Sequence, residues 1–193
     1  MSKRNLAYQN TVTDAAYLKA ERQAFEKSEL VHGVVVAMAG ASENHQLLVS
    51  NLSTEILISV KKTSCRAFTS DTRIKAQKGS YYYPDIVVTC GEREYEDEKR
   101  DVLLNPKIII EVLSETTKLK DRNEKFDSYT SMPSVTDYVL IEQNIMRVEH
   151  FSRARNKEWK VKILTQTDDL LKFPSINCEI SLEEIYYEIN LSQ

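Results

Sequence analysis

The fold is decided by YYYPDIVV at residues 81–88 and PKIIIEVL at residues 106–113, two short apolar runs that each carry one carboxylate. Their content of β-branched and aromatic residues, together with their length, predicts two buried strands. A carboxylate that is buried without a partner costs on the order of several kcal/mol or takes up a proton. Asp85 and Glu111 therefore need a common partner, and one cation between neighbouring strands is the simplest.

Magnesium is the cation that this pair of acids favours. Mg²⁺ binds oxygen ligands and is usually held by one or two carboxylates together with water and substrate phosphates. A charged helix follows the second run, and we expect that helix to supply a lysine to the same site. The acid-rich segment between the runs, residues 91–105, is interpreted as a solvated loop.

Length and composition set the limits of this interpretation. The 193 residues are 41% hydrophobic and 28% charged, which is enough for one substantial core. We expect a flexible arm at residues 1–12 and a single domain at residues 13–193. Because no apolar run approaches 18 residues and no charged-then-apolar leader begins the chain, we expect a cytoplasmic protein without a membrane span.

Charge and cysteine content exclude other classes of protein. The net charge of −3 argues against a strong non-specific nucleic-acid binder, although it allows a local basic patch. The cysteines at positions 65, 90 and 178 are odd in number and widely spaced, so they predict neither a disulfide framework nor a zinc site. We expect all three to be reduced.

Hydrophobic periodicity predicts the remaining elements. The pattern gives an α/β protein with a mixed β-sheet flanked by helices and a C-terminal antiparallel meander. The predicted helices are residues 13–27, 42–61, 118–131 and 182–189, and the predicted strands are 29–38, 66–70, 72–76, 137–142, 146–152, 158–164 and 170–173.

An ordered set of motifs resembles a known family. The set covers roughly residues 21–187, and the family is the Uma ("Uma-two") family of restriction-endonuclease-like proteins, which is similar in fold and site to the PD-(D/E)XK nuclease superfamily. The motifs are Gly33 with Met38, His45, Ser70-Asp71, Pro84-Asp85, Glu111-Val112-Leu113-Ser114, Asp121 to Phe126 with Tyr129, Asp137 to Leu140, and Leu182 to Tyr186.

The resemblance implies a catalytic set. Asp85 and Glu111 match the family's metal-binding acids, with the Val112 backbone carbonyl as a further ligand. The superfamily's usual lysine stands two residues after the second acid, where this chain has Leu113. In the Uma-like pattern that lysine moves into the next helix, which makes Lys125 the candidate.

Several other residues are alternatives to Lys125 or candidates for supporting the metal ligands. Lys118 or Lys120 would replace Lys125 if the helix began elsewhere. The candidates for supporting the ligands or contacting substrate are His45, Asp71, Asp121 and Tyr129. The family often has a glutamate directly after the glycine of its first strand, and this chain has Val34 there.

Two functions follow from this set. The resemblance implies a Mg²⁺-dependent endonuclease, with Mn²⁺ as a substitute ion, that hydrolyses DNA through a metal-activated water. We expect it to act as a homodimer whose meander or exposed strand edges form the interface. The alternative is a nuclease-fold protein without catalysis that binds nucleic acid or protein. Under the alternative, Asp85 would bond local backbone amides and Glu111 would form a structural ion pair with Lys107 or Lys125.

Overall fold

The computed structural model describes residues 11–38, 40–114 and 118–191. Most of the predicted N-terminal arm lies outside these residues. The helices are α1 Asp14–Glu21, α2 Glu43–Val60, α3 Lys118–Lys120, α4 Phe126–Thr130 and α5 Leu182–Ile185, with a π-helical turn Asp121–Lys125 between α3 and α4 and a 3₁₀ turn Pro174–Ile176. The strands are β1 Ser28–Val31, β2 Val34–Ala37, β3 Cys65–Thr69, β4 Arg73–Gln77, β5 Ser80–Tyr82, β6 Ile86–Cys90, β7 Val102–Leu103, β8 Ile108–Leu113, β9 Asp137–Glu142, β10 Val148–Arg153, β11 Trp159–Leu164, β12 Leu170–Phe173 and β13 Cys178–Ser181.

A six-stranded mixed sheet forms the centre, in the order β11-β10-β9-β8-β6-β3. Strands β8 and β9 are parallel, while β9, β10 and β11 form the antiparallel meander that the sequence predicted. Strands β12 and β13 pair separately. The predicted α/β class with a mixed sheet and flanking helices is confirmed.

Helix α2 covers one face of this sheet. Ser42 caps the helix by accepting a hydrogen bond from the His45 backbone N–H, as the sequence suggested. Leu48, Leu52 and Ile56 recur at a spacing of four residues and are fully buried. They join the sheet residues Ile86, Val88, Ile108 and Ile110 in one apolar cluster.

A second, five-stranded sheet has the order β2-β1-β5-β4-β7. It divides the tyrosine-rich run, because Ser80–Tyr82 belongs to this sheet and Ile86–Cys90 belongs to the six-stranded sheet. The prediction of one continuous strand at residues 81–88 was therefore wrong. Pro84 has no N–H to donate to a ladder, so the chain leaves one sheet there and enters the other. Asp85 lies at this crossing point.

The first strand and first helix also differ from prediction. Residues 29–38 form a hairpin, turning at His32 and Gly33 with φ angles of 48° and 83°. Helix α1 ends at Glu21 because the carboxylate of that residue turns inward and accepts hydrogen bonds from the backbone and side chain of Ser28. The chain therefore folds back six residues earlier than expected.

The expectation of three reduced cysteines was wrong for two of them. Cys65 and Cys90 are disulfide-bonded, and Cys178 is free and buried. The antiparallel register of β3 and β6 places Cys65 directly opposite Cys90, although 25 residues separate them. Spacing along the chain carries no signal of this pairing.

The segment 91–105 is only partly a solvated loop. Val102 and Leu103 form β7, which pairs in parallel with β4 and is buried. Asp101 holds the segment in place through ion pairs with Arg22 and Arg73. None of the helices in the described residues is long and apolar enough to cross a membrane.

Replacing Gly33 with alanine tests the hairpin. A Cβ there would lie 2.9 Å from the Thr11 Cβ, and the φ of +83° is unfavourable for a side chain. A left-handed conformation costs about 1–2 kcal/mol, and each kcal/mol lowers the melting temperature by about 2–4 °C at this chain length. Gly33→Ala should therefore lower the melting temperature, whereas Gly40→Ala, which meets nothing within 4 Å, should leave it unchanged. Equal melting temperatures would contradict the assignment.

Candidate active site

A buried ion pair between Glu111 and Lys125 lies at the centre of the candidate site. Glu111 is the fourth residue of β8, and Lys125 ends the π-helical turn that follows. The Lys125 Nζ donates a hydrogen bond of 2.9 Å to Glu111 Oε1, and the Tyr129 hydroxyl donates one of 3.2 Å to the same oxygen. Both charged side chains are about 95% removed from solvent.

Asp85 lies beside this pair and holds two donors. One carboxylate oxygen is 2.9 Å from His45 Nε2, and the other accepts a hydrogen bond of 2.7 Å from the Val112 backbone N–H. His45 stands in the first turn of α2, so Asp85 is held both by this helix and, through Val112, by β8. These contacts fix the carboxylate at the edge where β6 begins.

Glu29 joins the same cluster, although sequence reasoning did not single it out. Its carboxylate lies 3.1 Å from Lys125 Nζ, pairs with Lys120 through the other oxygen, and accepts a hydrogen bond from the Tyr83 N–H. Glu29 is an acid in an otherwise apolar strand, the same signal that identified Asp85 and Glu111. Because residues 29–38 were predicted as one long strand, Glu29 was not proposed as a site residue.

Asp121 supplies one further carboxylate from within the π-helical turn. Its Oδ1 lies 3.2 Å from Lys125 Nζ, four residues later. That oxygen is buried and accepts no hydrogen bond from the described residues, so the contact is an ion pair alone. Three acids, Glu29, Glu111 and Asp121, thus surround one ammonium group.

Burial and charge perturb the titration of this cluster. Burial raises the pKa of Glu111 well above its ordinary value, and the nearby acids Asp121 and Asp85 add to the rise, while Lys125 opposes it. Burial alone would lower the pKa of Lys125, but Glu111 and Glu29 outweigh it and hold that pKa well above its ordinary value. Burial likewise favours a neutral Glu29, yet Lys125 and Lys120 lower its pKa. Lys125 is therefore protonated at neutral pH.

The cluster opens into a cleft of about 740 Å³. Glu29, Asp85, Glu111, Asp121 and Lys125 line its acidic end. Other parts of its wall come from the end of β2, the first turns of α2, the end of β3 and the side chains of Lys27, Lys120 and Gln143. A volume of this size is within the range of small-molecule and cofactor sites.

The structure brings most of the predicted site residues together. Among the three candidate lysines, Lys125 is the one that contacts Glu111, whereas Lys118 pairs with Glu142 and Lys120 pairs with Glu29. Asp71 does not join the cluster, since its side chain is 81% exposed and pairs with Lys27. Of the other supports, His45, Asp121 and Tyr129 all contact the central acids or lysine.

The two departures from the family pattern lie outside the cluster. Leu113 is buried in the apolar core, and Val34 is on the exposed strand β2. Neither contributes a charge to the site.

The donors present fit Mg²⁺ in kind. Among the described residues, no group of three or more His, Cys, Asp or Glu side chains is arranged to hold a metal ion. The carboxylates of Asp85 and Glu111 are nevertheless hard oxygen donors at one edge of the sheet, and Asp121 Oδ1 is a buried oxygen without a hydrogen bond. The N–H and C=O of one strand residue point to the same side, so the Val112 carbonyl faces the edge where its N–H meets Asp85.

Comparison with known proteins gives consistent matches. The model of the Uma2 family, described as "Putative restriction endonuclease", matches residues 14–183. An uncharacterized protein of Synechocystis sp. is 38% identical over 149 residues, covering 77% of this chain and 84% of its own. A second uncharacterized protein of that organism is 29% identical over 171 residues, 88% of each chain.

A solved structure shares the fold. It is described as a putative nuclease belonging to DUF820 from Anabaena variabilis, with a TM-score of 0.75 at 20% identity, and the match covers 91% of this chain and 97% of that one.

Replacing Glu111 with glutamine tests whether the pKa of this residue is raised in the folded protein. Because the folded pKa of Glu111 is raised, its stabilising contribution is complete below the ordinary value of 4.5 and is lost as pH rises through the folded pKa. The melting temperature of Glu111→Gln, measured by thermal unfolding, should therefore rise relative to that of the unchanged protein as pH increases from about 4 to 8.

Glu149→Gln is the matched control. Burial favours the neutral form of Glu149, but Arg122 and Arg147 lower its pKa, so its contribution is present above the ordinary value and is lost as pH falls. The control should be less stable than the unchanged protein at pH 7, and this deficit should shrink in acid. A pH dependence of the same sign in both variants would contradict the electrostatic assignment of Glu111.

Proposed function

Since the chain belongs to the Uma2 family, we propose that it is a Mg²⁺-dependent endonuclease that hydrolyses phosphodiester bonds of DNA. The observation that carries this proposal is the meeting of Asp85, Glu111 and Lys125 at one accessible cleft, although they come from three separate elements. Two acids beside a lysine, placed where a sheet edge meets solvent, are the groups that metal-assisted phosphodiester hydrolysis requires.

Each residue has a role in the proposed reaction. Asp85, Glu111 and the Val112 carbonyl would hold the metal. When bound, Mg²⁺ polarises a phosphate oxygen and lowers the pKa of a bound water. Lys125 is held protonated by Glu111 and Glu29, so it carries a fixed positive charge that orients the attacking water and stabilises negative charge on the phosphate. His45 holds the Asp85 carboxylate in place.

The assignment of DNA as the substrate rests on the family description together with the cations at the cleft. Lys27 and Lys120 line the cleft, where they are ion-paired with Asp71 and Glu29. Lys118 and Arg122 are ion-paired with Glu142 and Glu149 and do not line the cleft, so they are less available for phosphates there than their sequence position suggested. We also propose that the active form is a homodimer, in which two sites act on two strands.

One observation favours a binding module without catalysis. Asp85 and Glu111 are both engaged by protein groups, since Lys125 binds Glu111 while His45 and the Val112 N–H bind Asp85. These contacts hold both carboxylates in place without a metal. The two functions differ in whether these residues are needed for cleavage.

Plasmid cleavage distinguishes them. The protein should nick supercoiled plasmid or cut single-stranded DNA with Mg²⁺ or Mn²⁺ and fail to do so with EDTA. Asp85→Asn, Glu111→Gln and Lys125→Met should each lose activity by on the order of 100-fold or more. Asp127→Asn, a carboxylate on α4 that forms no ion pair with the cluster, is the matched control and should retain activity. Activity that is equal in all variants would reject the catalytic assignment.

Glu29 provides an independent prediction. Its carboxylate fixes both Lys125 and Lys120, so Glu29→Gln should reduce cleavage by roughly 10–100-fold, as losing a supporting partner of a metal site does. Far-UV circular dichroism should show an unchanged fold. Full activity in Glu29→Gln would show that the position of Lys125 does not depend on this contact.

A further inference from the structure

Strand β2 is an exposed apolar edge. All of its residues, Val34–Ala37, are exposed, and Met38 after it is 40% exposed. The sequence from residue 33 to 42 contains no charged side chain. Within the described residues β2 pairs with β1 alone, so its other edge carries unpaired backbone groups.

The edge strand β11 shows how an unpartnered edge is protected in the same molecule. There, exposed Lys160 and Lys162 alternate with exposed Val161 and Ile163. Lysine on an edge strand opposes pairing with another chain, because it places charge where a partner would lie. Strand β2 lacks this protection, which indicates that its edge is covered in the working protein.

The hairpin register shows which residues of β2 direct their backbone N–H and C=O groups away from β1. A two-residue turn with positive φ at both positions makes Val31 and Val34 a hydrogen-bonded pair, so bonded and non-bonded pairs alternate from there. The hydrogen bond from Met38 N–H to the Lys27 carbonyl fits this alternation. The backbone groups of Val35, between bonded positions, and those of Ala37 therefore face away from β1.

We propose that β2 pairs with β2 of a second copy of this chain, antiparallel, about a two-fold axis at Val36. In such a pair, the residues whose backbone N–H and C=O groups face the partner strand must lie opposite one another. This rule places Val36 opposite the partner's Val36, Val35 opposite the partner's Ala37, and Val34 opposite the partner's Met38.

A second copy fits this edge better than an unrelated chain for two reasons. Every opposed pair in this register is apolar, so self-pairing brings no like charges together. The Val12 N–H already binds the Gly33 carbonyl, which stops a partner strand from extending past Val34. In the part of the chain that the structure describes, the free edge is thus residues 34–38, and a register centred on Val36 uses all of it.

The dimer would bring two clefts to one side of a continuous sheet. Val36 and Met38 line the cleft, and a two-fold axis perpendicular to the sheet keeps both copies of this face on the same side. This consequence rests on the proposed nuclease function, because two sites facing one way suit the two strands of one DNA. The pairing itself is independent of catalysis.

Charge substitution on the axis gives the first test. By light scattering after size exclusion, the protein should have twice the chain mass of 22.3 kDa. Val36→Glu and Val36→Lys each place like charges face to face and should give monomers, whereas an equimolar mixture of the two should recover the dimer. A monomeric unchanged protein, or dimers in both single variants, would overturn the proposal. Circular dichroism confirms that the variants fold.

Cysteine trapping gives the second test. Non-hydrogen-bonded antiparallel pairs bring side chains closest together, so Val36→Cys should form a disulfide-linked dimer on mild oxidation. The matched control is Val161→Cys on the lysine-protected edge β11, where the valine is more exposed than Val36 and should not cross-link. Equal cross-linking in both variants would reject pairing through β2.

Two further variants separate this proposal from its alternatives. Asp85→Asn should remain dimeric while losing cleavage, so a failure of the nuclease assignment and a failure of the dimer are read separately. Deletion of residues 1–10 should leave the mass at that of a dimer. Loss of the dimer on that deletion would overturn pairing through β2 alone.

Discussion

The buried contact between Lys125 and Glu111 is the constraint on which the rest of the structure depends. One ammonium group joins β8 of the six-stranded sheet to β1 of the other sheet through Glu29, and to its own helical turn through Asp121. A buried charge of this kind is tolerated only with good partners, and breaking one buried pair costs about 3–5 kcal/mol. The two sheets and the helix after β8 are therefore held in one relative position by the same group that lies at the centre of the cleft.

The π-helical turn is part of this constraint. Residues Asp121–Lys125 form it, and both of its ends are buried charged side chains directed at the cluster. Single π turns are uncommon and often occur at functional sites. The Tyr138 hydroxyl donates a hydrogen bond to the Asp121 carbonyl, and the Tyr129 hydroxyl donates one to Glu111, so two buried tyrosines fix the turn in place.

The cluster places more carboxylates together than a stable core needs. Glu111 and Asp121 are more than 95% buried, and Glu29 is nearly so, with Lys125 shared among them. The raised pKa of Glu111 shows that its ionised form is disfavoured by burial and by its acidic neighbours. Strongly perturbed titration beside an open cleft is a feature of functional sites, where charge that is unfavourable for folding is retained for chemistry.

The sequence by itself determined the features that depend on local periodicity. It gave helix α2 with its apolar face, strand β8, the antiparallel meander, and Asp85 and Glu111 as carboxylates within apolar runs. These follow from side-chain patterns within one element, which burial of an apolar face imposes directly. The choice of Lys125 came instead from the resemblance to the family, because a lysine on a charged helix carries no such pattern.

Only the tertiary structure decided what depends on register between distant segments. It divided residues 81–88 between two sheets, turned residues 29–38 into a hairpin that brings Glu29 to Lys125, and placed Cys65 opposite Cys90. It also put Asp71 on the surface. Pairing between strands far apart in the chain is chosen by the packing of the whole core, so no local pattern of residues records it.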